Sequence, residues 1–404
     1  MVFAFGVLLF ALGITVSIAL HEAGHMWTAR ATGMKVRRFF IGFGPKVFSF
    51  RRGETEYGLK AIPAGGFCDI AGMTAIDELA PDEIERAMYR QKTWKRLVVM
   101  MGGIGMNFVL GFLLIFILAI GWGLPNLNPP TTALVGEMPC VTATQNDDLT
   151  YPECSGPSPA YVAGIREGDV IVSVDGTATA DFTDVVKATQ PLSGTVDFVV
   201  ERDGSELTFP VQVQQVQRWV SDGTETGRES ATVGAVGVQL AQFYPTQYNP
   251  LAAVPASFAF TGDMFVETAH RLVQMPSKVA DLWTSVTGGE RDPETPISVV
   301  GASVIGGQLV ERSMWPVFVL LLASLNFFLG IFNLLPLLPL DGGHMAVTLY
   351  ERIRNFFRHK RGLPNGGPVD YMKLMPVTYV VIVIGGAYML LTLTADIVNP
   401  IQLF

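Results

Sequence analysis

The sequence predicts a polytopic α-helical membrane protein with four transmembrane helices and a small β-rich domain between the second and third. Three observations carry this reading. Apolar residues gather in four long runs, 2–20, 97–124, 315–340 and 375–395, each near the roughly 20 residues that a helix needs to cross hydrocarbon. Trimmed at their edges, none of these runs holds Lys, Arg, Asp or Glu. Charge is scarce as well as uneven: 16% of the 404 residues are charged, where about 25% is usual for soluble domains.

The unevenness orients the chain. Residues 30–96 hold 13 Lys/Arg against 8 Asp/Glu, and residues 344–373 hold 6 against 2. Residues 123–314 reverse the balance, with 9 against 23. Basic loops stay cytoplasmic. Both termini and the long middle segment are therefore expected outside a plasma (inner) membrane, with 31–96 and 344–373 inside. The first run (1–30) has no basic residue before Arg30 and continues straight into His21-Glu22-Ala23-Gly24-His25. That is unlike a cleaved signal peptide, which begins basic and ends on small residues, so it is read as a span. The others are assigned to 97–124, 315–343 and 374–396, with a short outside tail at 397–404. No basic face suggests nucleic-acid binding; the lipid bilayer is the surface this composition fits.

Between the spans, the pattern changes. Residues 46–52 and 54–62 read as two short strands joined at Arg52-Gly53, closed by Pro63-Ala64-Gly65-Gly66-Phe67. Residues 131–215 are rich in Val, Thr and Gly-Asp or Asp-Gly turn pairs. A hairpin around Asp203-Gly204 is expected there, within a small domain assigned to 125–215. Residues 216–250 give no clear signal. Residues 251–280 look helical and mixed in polarity, as a helix lying along a membrane surface would be; 216–314 is read as linker plus that helix. Residues 355–370 read as a loop. Cys140 and Cys154 both fall in the outside segment and flank Gln145-Asn146-Asp147-Asp148. A disulfide between them is expected in that oxidising setting.

The chemistry centres on His21-Glu22-x-x-His25. Residues four apart stand on one helix face, one turn above the other. Two imidazoles so placed bind one Zn²⁺ at about 2.0–2.1 Å each. Glu22 sits beside them, placed to take a proton from a water that the metal acidifies. Ionisable residues at the end of an apolar helix mark function rather than packing. A catalytic zinc takes three protein ligands and leaves one position open. Asp341, at the end of the third run in Asn333-Leu334-Leu335-Pro336-Leu337-Leu338-Pro339-Leu340-Asp341-Gly342-Gly343, lies at the same predicted depth as the histidines. It is the candidate third ligand; the alternative is a simple turn closing the helix.

These two segments resemble the motifs of the site-2 proteases, intramembrane zinc metalloproteases. The resemblance covers nearly the whole chain and is nearest to the bacterial members with a PDZ domain between spans two and three, above all the actinobacterial and mycobacterial ones. It implies that His21, His25 and Asp341 hold the metal and that Glu22 is the general base. It further implies an extracytoplasmic PDZ domain at 125–215 and a membrane-associated β-hairpin near 41–67, within the cytoplasmic-side segment. Gly103-x-x-x-Asn107 resembles a family motif whose Asn helps hold substrate, although Ile104 stands where that family commonly has Pro. Asn333 matches a position that contacts substrate backbone. The implied substrates are single-span membrane proteins, notably anti-sigma factors, cut in regulated intramembrane proteolysis. An unwound substrate segment would add to a strand edge, for which the hairpin and Gly65-Gly66 are the candidates. The reading from another class is a catalytically silent, metal-binding PDZ scaffold, which would have no use for Glu22.

Overall fold

The computed structural model describes residues 1–127, 132–146, 151–221, 228–241, 245–292 and 294–401. The chain opens with α1 (Val2–Ala31), β1 (Val36–Arg52), β2 (Thr55–Ile70) and α2 (Thr93–Gly121). Then follow α3 (Pro159–Ala163), β3 (Val170–Val174), β4 (Thr177–Ala178), α4 (Phe182–Thr189), β5 (Gly194–Arg202), β6 (Ser205–Ser221) and β7 (Arg228–Ala235). The last helices are α5 (Pro250–Gln274), α6 (Val279–Val286), α7 (Val299–Glu311), α8 (Trp315–Asn333), α9 (Asp341–Lys360) and α10 (Met375–Val398). Two compact units result: Met1–Leu124 with Thr246–Phe404, and Pro125–Pro245.

In the first unit, α1, α2, α8 and α10 are each long and apolar enough to cross a membrane. Their outer faces carry exposed Leu8, Leu12, Val109, Leu113, Val383 and Ile384. Such faces suit hydrocarbon, not water, and the protein is a multi-pass membrane protein. At Gly24 and Gly102, α1 and α2 come into backbone contact; a Cβ on either would meet the other's main chain. Beside α1, β1 and β2 form one bent sheet. Residues 36–41 pair with 66–70 on one side and 38–41 pair with 56–59 on the other, while 46–52 pair with 55–60. The hairpin is therefore longer than the expected strands at 46–52 and 54–62. Gly42 and Gly44, both with positive φ, let β1 bend between its halves.

Three further differences have physical causes. The third apolar run is not one helix to residue 343: α8 stops at Asn333, and Asp341 opens a new helix, α9, that replaces most of the loop expected at 344–373. Pro336 and Pro339 forbid helical continuation across 334–340. Second, α5 runs antiparallel along α2 instead of standing apart as a surface helix. Phe258 meets Phe112 and Phe265 meets Phe108, with ring centroids 4.6 and 5.9 Å apart, while Ala253, Phe260 and Met264 of the same helix are buried and Phe258 and Phe265 stay partly exposed. Third, the supposed linker contains α7, whose Ala302, Ile305, Leu309 and Val310 pack with Phe10 and Ile14 of α1.

The second unit is a five-stranded sheet in the order β4-β3-β5-β6-β7 with α3 and α4. Its core is Ile165, Ile171, Val174, Phe198, Val200 and Val211. The turn at Asp203-Gly204 joins β5 to β6 as the sequence suggested, but β6 continues to Ser221 and β7 follows. The unit thus reaches past residue 215. Arg202 donates to both oxygens of Asp169 at 2.7 Å. Burial resists ionisation of Asp169, yet the guanidinium holds its carboxyl below the usual range. Cys140 and Cys154 are linked, with Cα atoms 6.0 Å apart; Asp147 and Asp148 of the intervening stretch lie outside the described residues.

Candidate metal centre

His21 and His25 lie one turn apart on α1, both largely buried. The turn at 334–340 brings the first residue of α9 to them. Nε2 of His21, Nε2 of His25 and Oδ2 of Asp341 form a triangle with every edge 3.2 Å. Ligands at about 2.0–2.1 Å around a tetrahedral ion stand about 3.3 Å apart, so the triangle has the size of one face of such a site. Two further observations fit a cation. Oδ2 of Asp341 is buried with no hydrogen-bond donor, an expensive state for a carboxylate oxygen unless something positive faces it. His25 Nδ1 lies 2.8 Å from the Val99 carbonyl. A carbonyl only accepts, so Nδ1 carries the hydrogen and the Nε2 lone pair of the neutral ring points into the triangle. The residues present therefore fit Zn²⁺.

The other predicted residues divide into two groups. Glu22 stands next to the triangle against the sheet: a Cβ on Gly66 would lie 3.2 Å from its Cγ. Gly66 pairs with Ile41, and along 66–70 no second strand lies on the far side among the described residues. Gly65 precedes it with φ +142°. Asn107 is 1% exposed, and its amide nitrogen lies 3.2 Å from His21 Nδ1. Asn333 closes α8 and donates to Leu329 O of its own helix at 3.0 Å; it is not brought to the triangle by any contact.

Sequence reasoning missed the main-chain carbonyl of Val99, which no side-chain pattern reveals. It also missed why Gly103 matters: a Cβ there would run into the imidazole of His25. The i, i+4 spacing of Gly103 and Asn107 on one face of α2 was the available signal. Beyond the triangle, His344 Nδ1 lies 3.1 Å from the Tyr371 hydroxyl with the rings stacked. Arg96 donates to Glu351 across α2 and α9 at 2.5 Å, both side chains buried. These contacts fasten α9, and with it Asp341, to the rest of the unit.

The chain matches the model of Peptidase family M50 over residues 9–375. It is 54% identical over 404 residues to the zinc metalloprotease Rip1 of Mycobacterium tuberculosis, covering all of both chains. The Rip1 protein of Mycolicibacterium smegmatis is 54% identical over 409 residues, again covering the whole of each. The chloroplastic membrane metalloprotease ARASP of Arabidopsis thaliana is 30% identical over 361 residues, 84% of this chain and 69% of that one. A buried zinc-sized triangle at the end of an apolar helix and these likenesses, two of them full-length, lead to one conclusion: the chain belongs to peptidase family M50, the site-2 proteases, and is an intramembrane zinc metalloprotease.

Proposed function

We propose that His21, His25 and Asp341 hold the zinc and that Glu22 is the general base for peptide hydrolysis within a substrate's transmembrane segment. The observation that carries this is the 3.2 Å triangle with Glu22 beside it. Bound zinc acts as a Lewis acid and lowers the pKa of water. Glu22 takes the proton from the attacking water and delivers it to the leaving amide nitrogen. The substrate helix must first unwind, because its backbone amides are otherwise engaged internally. The open edge at 66–70 receives the unwound strand by main-chain pairing, and Gly65 and Gly66 leave room for that backbone. Asn333 supplies a further backbone contact once it exchanges its intrahelical bond for substrate.

The charge asymmetry supports four spans (α1, α2, α8, α10) with both termini and residues 125–245 outside and the zinc near the cytoplasmic side of the plasma membrane. The second unit serves as a PDZ domain, closed by the Cys140–Cys154 disulfide. Its antiparallel sheet with two short helices supports that reading. Substrates are single-span membrane proteins such as anti-sigma factors. The test is cleavage of single-span peptides by purified enzyme, comparing wild type with Glu22→Ala. The variant is expected to keep its zinc and lose cleavage; normal cleavage would sink the assignment of the base.

A further inference from the structure

We infer that Asn107 is a positioning residue: its side-chain carbonyl accepts the Nδ1–H of His21 and so holds Nε2 of that ring toward the metal. This rests on the reading of His21 as a zinc ligand given above. Asn107 is 1% exposed, its amide nitrogen stands 3.2 Å from His21 Nδ1, and its Oδ1 is buried without a donor. The two ends of an amide have nearly the same shape and are exchanged by a half-turn of the side chain, so the hydrogen-bond partners decide which end faces which group. With nitrogen toward the ring, His21 must accept at Nδ1, and a neutral ring then carries its hydrogen on Nε2. That hydrogen would sit in the triangle, where a metal needs a lone pair. Turned over, the same amide gives Oδ1 a donor, puts the ring hydrogen on Nδ1 and frees Nε2. One half-turn removes both faults.

The second observation is the matching arrangement at His25, where the Val99 carbonyl takes the Nδ1 hydrogen at 2.8 Å. Val99 and Asn107 both lie on α2, about two helical turns apart. One helix therefore fixes both imidazoles, by a main-chain carbonyl for one and a side-chain carbonyl for the other. Partners of this kind set the tautomer and ring orientation of metal-binding histidines. In this role Asn107 acts on the reaction through His21 and does not touch substrate.

The experiment uses the full-length purified protein as wild type, Asn107→Leu, Asn107→Asp and His21→Ala. Zinc affinity is measured by competition with a chromophoric chelator, and the absorption bands of the Co²⁺-substituted protein are recorded. Asn107→Leu is expected to bind zinc about 10–100-fold more weakly and to shift the cobalt bands. Asn107→Asp, which offers His21 a carboxylate acceptor, is expected to stay near wild type in both. Should the leucine variant fail to fold, Asn107→Ser, whose oxygen stops short of the ring, is expected to show the same loss. Normal zinc affinity and spectrum with a raised KM would overturn the inference in favour of a substrate contact. Equal losses in the Leu and Asp variants would overturn it in favour of packing alone. Full zinc affinity in His21→Ala would instead refute the ligand assignment beneath it.

Discussion

Replacing Gly103 by alanine probes how tightly the ring of His25, a proposed metal ligand, is confined. The ring lies between α2 at Gly103 and the Val99 carbonyl that holds its Nδ1 at 2.8 Å. A Cβ at position 103 would stand 2.3 Å from Nε2, 2.7 Å from Cε1 and 2.8 Å from Cδ2 of His25, where ordinary contact begins near 3.4 Å. The ring must therefore retreat by about 1.1 Å at Nε2, against a tolerance in metal–ligand distance of about 0.2 Å. A ligand displaced that far weakens zinc binding by about 10–100-fold, or about 1.4–2.8 kcal/mol. A misplacement of about 1 Å also lowers cleavage by about 100-fold. Gly105 supplies the control, since nothing lies within 4 Å of a Cβ built there. Gly105→Ala is expected to bind zinc and cleave normally, with up to about 1 kcal/mol gained from helix propensity. Chelator competition and cleavage of a single-span peptide, read on both variants, decide the matter. Wild-type zinc affinity and turnover in Gly103→Ala would refute the reasoning, because the ring would then have room that the structure denies it.

The remaining predictions concern the sheet, the second unit and the polar segment after β2. Gly66→Pro removes a main-chain N–H from the strand that carries the open edge and is expected to cut cleavage per bound zinc sharply; an unchanged rate per zinc would leave the hairpin a shield and not a substrate strand. Gly65 is the poorer position for this substitution, because proline cannot adopt its φ of +142°. Alkylation of denatured, unreduced protein is expected to label Cys68 alone; labelling of three thiols would refute the Cys140–Cys154 pairing, whose loop closure stabilises by about 3 kcal/mol in the chain-entropy model. Glu83 hydrogen-bonds Arg37, which holds its carboxyl down to about 2 from 4.5. A folded-state value below the unfolded one makes its contribution complete above about pH 4.5 and erodes it as the pH falls toward 2. Glu83→Gln is expected to lower the melting temperature by a few degrees at pH 6 and to match wild type ever more closely in acid; a gap constant with pH would contradict this.

Much of the site was written in the sequence because its parts are local. His21, Glu22 and His25 fall within one turn of a helix whose apolar character is plain, so their shared face follows from periodicity alone. Asp341 could be placed near them by depth, since the charge of the loops fixes which ends of the apolar runs lie together. What depth could not show was that Asp341 begins a helix instead of ending one. The break follows from Pro336 and Pro339, but α9 beyond it is amphipathic, and its charged end at Arg358-His359-Lys360-Arg361 reads as loop. α7 was hidden for a different reason. At Val299–Glu311 it is too short to announce a span, and its burial depends on α1, some 300 positions earlier in the chain. The hairpin's full length was obscured by glycines at 42 and 44, which look like an end of structure and act as a bend within it. Asn107 was visible as a motif residue, whereas its bond to His21 is a tertiary fact that only the crossing of α1 and α2 creates.

The separation of the three proposed ligands between two distant stretches of chain has a thermodynamic consequence. His21 and His25 belong to α1, whereas Asp341 leads α9, more than 300 residues away in sequence. An ion that binds all three is a non-covalent cross-link between the first and last thirds of the polypeptide, and it binds only when they are assembled. By mass action such a ligand stabilises the assembled form by RT ln(1 + [Zn]/Kd), about 4.1 kcal/mol at a thousandfold excess over Kd. Free zinc in the surrounding compartment therefore sets how firmly α9 is seated on α1, and metal starvation would loosen that seam well before it unwound any helix.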